Sequence, residues 1–129
     1  MHKGSVTLPL KVGILLTTIL LTFNLKAEIC YFATFESQLE IDNISIDHPG
    51  CTGFASLAIS GPDIVDLTPF SGITYVGRGL AISDNDMLES LEGLSGIADV
   101  VTLVIEGNER LADLTGLNPV LAHNVTVKD

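Results

Sequence analysis

The sequence predicts a mainly β chain, a short β-solenoid of about three to four coils of 23–24 residues, behind an export leader and a disulfide-bearing cap. Three observations lead there. A strand-like motif recurs at Leu57-Ala-Ile59, Leu80-Ala-Ile82 and Leu103-Val-Ile105, each copy 23 residues after the last. Behind each copy apolar residues fall at every third position: Ile64, Leu67, Phe70, Ile73 and Val76; then Leu88, Leu91, Leu94, Ile97 and Val100; then Leu111, Leu114, Leu117 and Val120. The charges are also segregated, because all 16 acids lie at or after Glu28 while Lys3, Lys11 and Lys26, half of the six bases, lie before it.

Residues 1–27 read as a secretory signal peptide. They hold no acid, a short basic start and the apolar stretch Val12–Leu25, which is the layout of such a leader. That stretch falls short of the roughly 20 residues a membrane-crossing helix needs, which favours cleavage over a retained anchor. Ala27 suits the position before a cut, although Leu25 is bulkier than the residue usually found two places earlier. A lipid-attachment reading of Cys30 is disfavoured by Glu28 and Ile29, where small residues belong. Export leaves Arg78, Arg110 and Lys128 as the only Lys or Arg against 16 acids. So acidic a chain is repelled by anionic lipid and cannot track a phosphate backbone, so neither membrane insertion of the mature chain nor a nucleic-acid partner is expected.

Residues 28–56 form the expected cap. An even pair of cysteines in an oxidising compartment is normally a disulfide, and Cys30 with Cys51 would close a loop worth on the order of 3 kcal/mol. Two free thiols or a metal pair is the rival, and no further Cys or His cluster accompanies it. Leu39-Glu-Ile41 and Ile44-Ser-Ile46 alternate like strands, outside the register of the later repeats.

Residues 57–129 carry the solenoid. Period three over so long a run, with Gly72, Gly93, Gly96 and Gly116 inside, is poor for an α-helix, whose apolar stripe steps three, four, three. Short turns that bury one residue in three fit better, and no such coil buries its face alone, so the coils must stack. The apolar runs step by 24 and then 23 residues, which places a one-residue insertion in Val76-Gly-Arg-Gly-Leu80. Asn85 and Asn108 occupy equivalent turn positions, Pro62 taking the place in the first coil, and their amides are expected to bond main-chain groups of neighbouring turns as a structural ladder. Val125-Thr-Val127 arrives one residue early for a last strand, and an open apolar end there invites self-association through the C-terminal edge.

The pattern Leu80-x-Ile82-x-Asp84-Asn85-Asp86-x-Leu88-x-x-Leu91-x-Gly93-Leu94, echoed from Leu103 to Leu117, resembles the leucine-rich-repeat-like receptor L domain. The resemblance covers about residues 51–121. It implies a right-handed β-helix of leucine-rich-repeat character and a role in extracellular recognition. The chain is short and lacks the cysteine-rich modules and kinase of the receptors that carry such domains, so their ligands are not carried over.

Few residues point to catalysis. His48 sits in the turn Asp47-His48-Pro49-Gly50 and His123 in the last loop, neither beside a nucleophile motif. No HExxH, Walker A loop or dinucleotide fingerprint is present, and no catalytic residue, cofactor or metal is expected. Asp63, Asp86 and Glu109 fall 23 apart and should stack in one column. A solvated acidic edge is the plain reading of that column; a calcium site with help from Asp84, or an acid pair of a polysaccharide-cleaving enzyme, are sharper ones. Asn43-Ile-Ser45 and Asn124-Val-Thr126 match the N-glycosylation pattern, which matters only in a eukaryotic secretory pathway. The expectation is a secreted or cell-surface, non-enzymatic module that binds an extracellular protein or glycan through a repeat face. The alternative is an assembly element of an envelope or adhesion complex.

Overall fold

A computed structural model describes residues 28–118 and 122–128; the leader read in residues 1–27, and Val120, lie outside the described residues. Among the described residues the fold is mainly β, with 39% strand against 14% helix. Its strands are β1 (Glu28–Phe35), β2 (Cys51–Ile59), β3 (Tyr75–Val76), β4 (Gly79–Ser83), β5 (Val100–Glu106) and β6 (Ala122–Lys128). They form one six-stranded sheet, ordered β1-β2-β4-β5-β6 with β3 beside β2, and every pairing is parallel. Because β2 crosses residues 56 and 57, the cap and the repeats share this sheet.

The recurring motif is the register. Leu57 pairs with Leu80, Leu80 with Leu103 and Leu103 with Val125, while Ile59, Ile82, Ile105 and Val127 form the next column. Each column faces the core, and from Leu57 to Ile105 its members are at most 3% exposed. Parallel neighbours need a long return connection. Here it is made of tight turns with one 3-10 segment, Thr68–Gly72.

Those turns explain the period of three. Ile64, Phe70, Ile73, Leu88, Leu94, Ile97, Leu111 and Leu117 each donate a backbone N–H to the carbonyl three residues earlier. Three-residue turns return every third side chain to one side, and the side facing the core holds the apolar residues. The first two runs are fully buried. In the last run Leu111 and Leu117 are only partly buried and Leu114 is 41% exposed. Gly93 and Gly116, at φ of 108° and 105°, lie where a Cβ would strike the carbonyls of Leu67 and Leu91 in the preceding repeat. Glycine alone meets both conditions.

The one-residue insertion sits between β3 and β4. Val76 pairs with Phe54, but Leu80 pairs with Leu57, so one extra residue is absorbed. The N–H groups of Gly77 and Arg78 bond to β2 across it, and the carbonyl of Arg78 accepts from Thr102.

The segments expected to alternate like strands are instead helical. Leu39-Glu-Ile41 lies in α1 (Gln38–Asp42) and Ile44-Ser-Ile46 in α2 (Ile44–Asp47). Local chemistry favours the turn: the Ser37 hydroxyl accepts from the Glu40 N–H, and the Glu40 carboxylate accepts from the Glu36 N–H at 2.6 Å. The pair resembles a capping box, with the carboxylate reaching the residue before the cap rather than the cap itself. Ile41 and Ile44, three apart, enter the core, whereas Leu39 and Ile46 stay 67% and 72% exposed.

The Cys30–Cys51 disulfide, with Cα atoms 5.8 Å apart, ties β1 to the first residue of β2. It takes both sulfurs out of contention as metal ligands. Beneath it Phe35 meets Phe54 and Phe70 edge-on at 6.1 and 5.1 Å. The His48 ring packs 5.6 Å from Phe35 and 5.5 Å from Phe54. Among the described residues no helix is long and apolar enough to cross a membrane.

Candidate functional site

Three consecutive parallel registers decide what the outer face of the sheet presents. With Ala33, Leu57, Leu80 and Leu103 turned inward, the alternate residues Phe32 and Thr34 of β1, Ser56 and Ala58 of β2, Gly79 and Ala81 of β4, and Thr102 and Val104 of β5 turn outward. The middle strands contribute the smallest side chains and the flanking strands larger ones. The result is a shallow hollow of about 250 Å³ whose floor is β2 and β4. None of these eight residues is ionisable, in a chain of net charge −10. Asn124 and Thr126 of β6 continue the two rows as partners of Thr102 and Val104.

Such a face suits binding better than reaction. It offers hydroxyls from Thr34, Ser56 and Thr102, apolar area from Ala58, Ala81 and Val104, and one large ring at its margin, Phe32, 66% exposed. It holds no acid or base to move a proton.

Asn85 and Asn108 tie the repeats together in the turns that follow β4 and β5. Asn85 is fully buried; its Oδ1 accepts from Gly61 N–H at 2.9 Å, and its Nδ2 donates to Ile59 O at 3.1 Å and to Asn108 Oδ1 at 2.9 Å. Asn108 Oδ1 also accepts from Asn85 N–H at 3.1 Å, while its Nδ2 donates to Ile82 O at 2.8 Å and Glu106 O at 3.1 Å. Each amide thus joins consecutive repeats at the ends of the strands. In the first repeat Gly61 and Pro62 stand at this turn, and the Gly61 N–H becomes the ladder's terminal donor.

Two polar devices escaped the sequence reading. Gln38 bonds cap to repeat: its Oε1 accepts from the N–H groups of Val65 and Asp66, both at 2.9 Å, and its Nε2 donates to Asp66 O at 2.9 Å and Asp42 Oδ1 at 2.8 Å. A single glutamine carries no signal in sequence. The second device does repeat: Asp66 accepts from Thr68 N–H, Ser90 from Glu92 N–H and Asp113 from Thr115 N–H. An acceptor just before the second residue of each apolar run, at Leu67, Leu91 and Leu114, was the available signal. At Asp113, the Thr115 hydroxyl and N–H hold the carboxyl below its ordinary range.

The acids and histidines are not drawn into a centre. Asp63, Asp86 and Glu109 are exposed, as is Asp84, which takes a left-handed φ of 54°. Among the described residues no group of three or more His, Cys, Asp or Glu is placed to hold a metal. His48 belongs to the Phe35–Phe54 packing, and His123 lies 3.6 Å from Asp99 in solvent. Of the two glycosylation motifs, Asn43 is half-buried between α1 and α2, whereas Asn124 stands exposed on β6. Compared with known proteins, the chain matches no family model, no curated protein and no solved structure.

Proposed function

We propose that this chain is a secreted or cell-surface recognition module without catalytic activity, a short right-handed β-solenoid of receptor-L-domain character that binds an extracellular protein or glycan through its sheet face. One observation carries the reading: an uncharged, shallow face of small and hydroxylated side chains over β1, β2, β4 and β5, on a chain whose acids stand elsewhere. A contiguous surface of this kind on a strongly charged protein marks a place of contact. The disulfide supports an oxidising compartment. Parallel strands in chain order, matched at 22 to 24 residues, support the solenoid, as does the Asn85–Asn108 pairing between repeats.

The test is a binding screen against extracellular proteins and glycans with two variants. Ala81→Arg places a long cation on the floor of the hollow and is expected to abolish saturable binding while leaving the melting temperature unchanged. Asp86→Asn is expected to leave binding intact. Turnover of a polymer that Asp86→Asn abolishes would sink the proposal. A second reading, assembly through the C-terminal repeat, is favoured by Val125 and Val127, 55% and 51% exposed in core-facing columns.

A further inference from the structure

The two free edges of the sheet are complementary. β1 stands first and β6 last, and among the described residues no strand pairs with the outer side of either. An open edge presents unpaired N–H and C=O groups and is a template for another strand. All strands run in one direction, so β6 of one copy can receive β1 of another without reversal.

The register carries the fit further. The columns that end at Val125 and Val127 begin, at the other end of the sheet, with Ala33 and Phe35. Adding one more rung brings Phe35 of the second copy beside Val127 and Ala33 beside Val125. The next residues along the two strands are Glu36 and Lys128, which therefore meet as opposite charges. Residues 28–50 hold Glu28, Glu36, Glu40, Asp42 and Asp47 with no Lys or Arg, whereas β6 itself holds His123 and Lys128 with no acid, His123 lying 3.6 Å from Asp99 and Lys128 beside Glu106 of β5. The pairing also removes Val125, Val127 and Leu114 from water.

We propose that copies of this chain associate head to tail, β6 of one against β1 of the next, with Lys128 and Glu36 fixing the register. The joint is heterologous, so it leaves a free edge at each end and grows without closing. It goes beyond the recognition reading and stands without it, because the outer sheet face stays open in the stack.

Sedimentation over a concentration series, on the protein in the form that expressing cells yield, tests this. The expected result is an average mass that climbs with concentration, and climbs further when salt screens the repulsion between acidic copies. K128E and E36K each place like charges at the joint and are expected to weaken association about five- to tenfold. The double variant, or a mixture of the two single variants, is expected to restore it. Within one chain these positions are four strand spacings apart, roughly 19 Å, so the restoration cannot arise inside a molecule. Three results would each overturn the proposal: a chain monomeric at every concentration and salt, a closed dimer that does not grow, or a mixture no better than its components.

Discussion

At the residue scale, stability concentrates where a polar atom has no substitute partner. Replacing Asn85 by Ala removes the side-chain partner of Gly61 N–H and of Ile59 O, while Asn108 Oδ1 loses one of its two donors and keeps the backbone N–H of residue 85. A buried group left unpaired costs about 1–3 kcal/mol, so Asn85→Ala is expected to lower unfolding free energy by about 2–4 kcal/mol in urea, and Asn108→Ala, half-buried, by less. Glycines give a sharper contrast. Gly93 holds a φ of 108° with the Leu67 carbonyl against its Cα, whereas a Cβ at Gly72 meets nothing within 4 Å. Gly93→Ala should therefore cost upwards of about 1 kcal/mol and Gly72→Ala should be neutral or stabilise by about 0.4–1 kcal/mol, read from the same denaturation curves. The two positions look alike in sequence. What separates them is the approach of the preceding repeat, which exists only once the chain has stacked.

At the scale of elements, the strands from Leu57 onward were legible, whereas β1 and the helices of the cap were not. Leu57, Leu80 and Leu103 announce their register because a fixed spacing kept through three copies constrains pairing far more than local propensity does. The stretch from Leu39 to Ile46 occurs once, and its alternation was overruled by the Ser37–Glu40 cap and the burial of Ile41 with Ile44. Gln38 then fastens these short helices to the first repeat with three side-chain bonds, and a fourth, to Asp42, stays within α1. Gln38→Ala is expected to free the N–H groups of Val65 and Asp66, speed hydrogen exchange at both and in α1, and cost about 1–2 kcal/mol. Exchange in β4 and β5 should not change. The candidate site was legible only as a repeat face, since which residues turn outward follows from the inward register, while the contour of the hollow depends on small residues falling together on β2 and β4.

For the whole molecule, charge is the dominant long-range force. Sixteen acids face six bases, and Asp63, Asp84, Asp86 and Glu109 stand exposed, so self-repulsion opposes compactness. Monovalent salt should raise the melting temperature by screening it. At matched ionic strength calcium and magnesium should act alike, because Asp63, Asp86 and Glu109 are not gathered into a ligand group. A rise specific to calcium would show that the column closes around an ion. The same acidity leaves the uncharged sheet face as the surface where a partner meets least electrostatic resistance, which is why the recognition reading belongs to the molecule and not to any one residue.

The sequence by itself determined the mainly β character, the pairing of the strands from Leu57 onward, the place of the one-residue insertion and the union of Cys30 with Cys51. These follow from periodicity and from counting, which survive without knowledge of contacts. Only the tertiary structure decided that residues 38–47 are helical, that Gln38 joins the cap to the repeats, and that Phe32, Ser56, Gly79, Ala81 and Thr102 share one open face. The physical reason is the same in each case: these outcomes depend on which distant backbone comes within hydrogen-bond or van der Waals reach, and a residue that occurs once carries no record of its neighbours across the sheet.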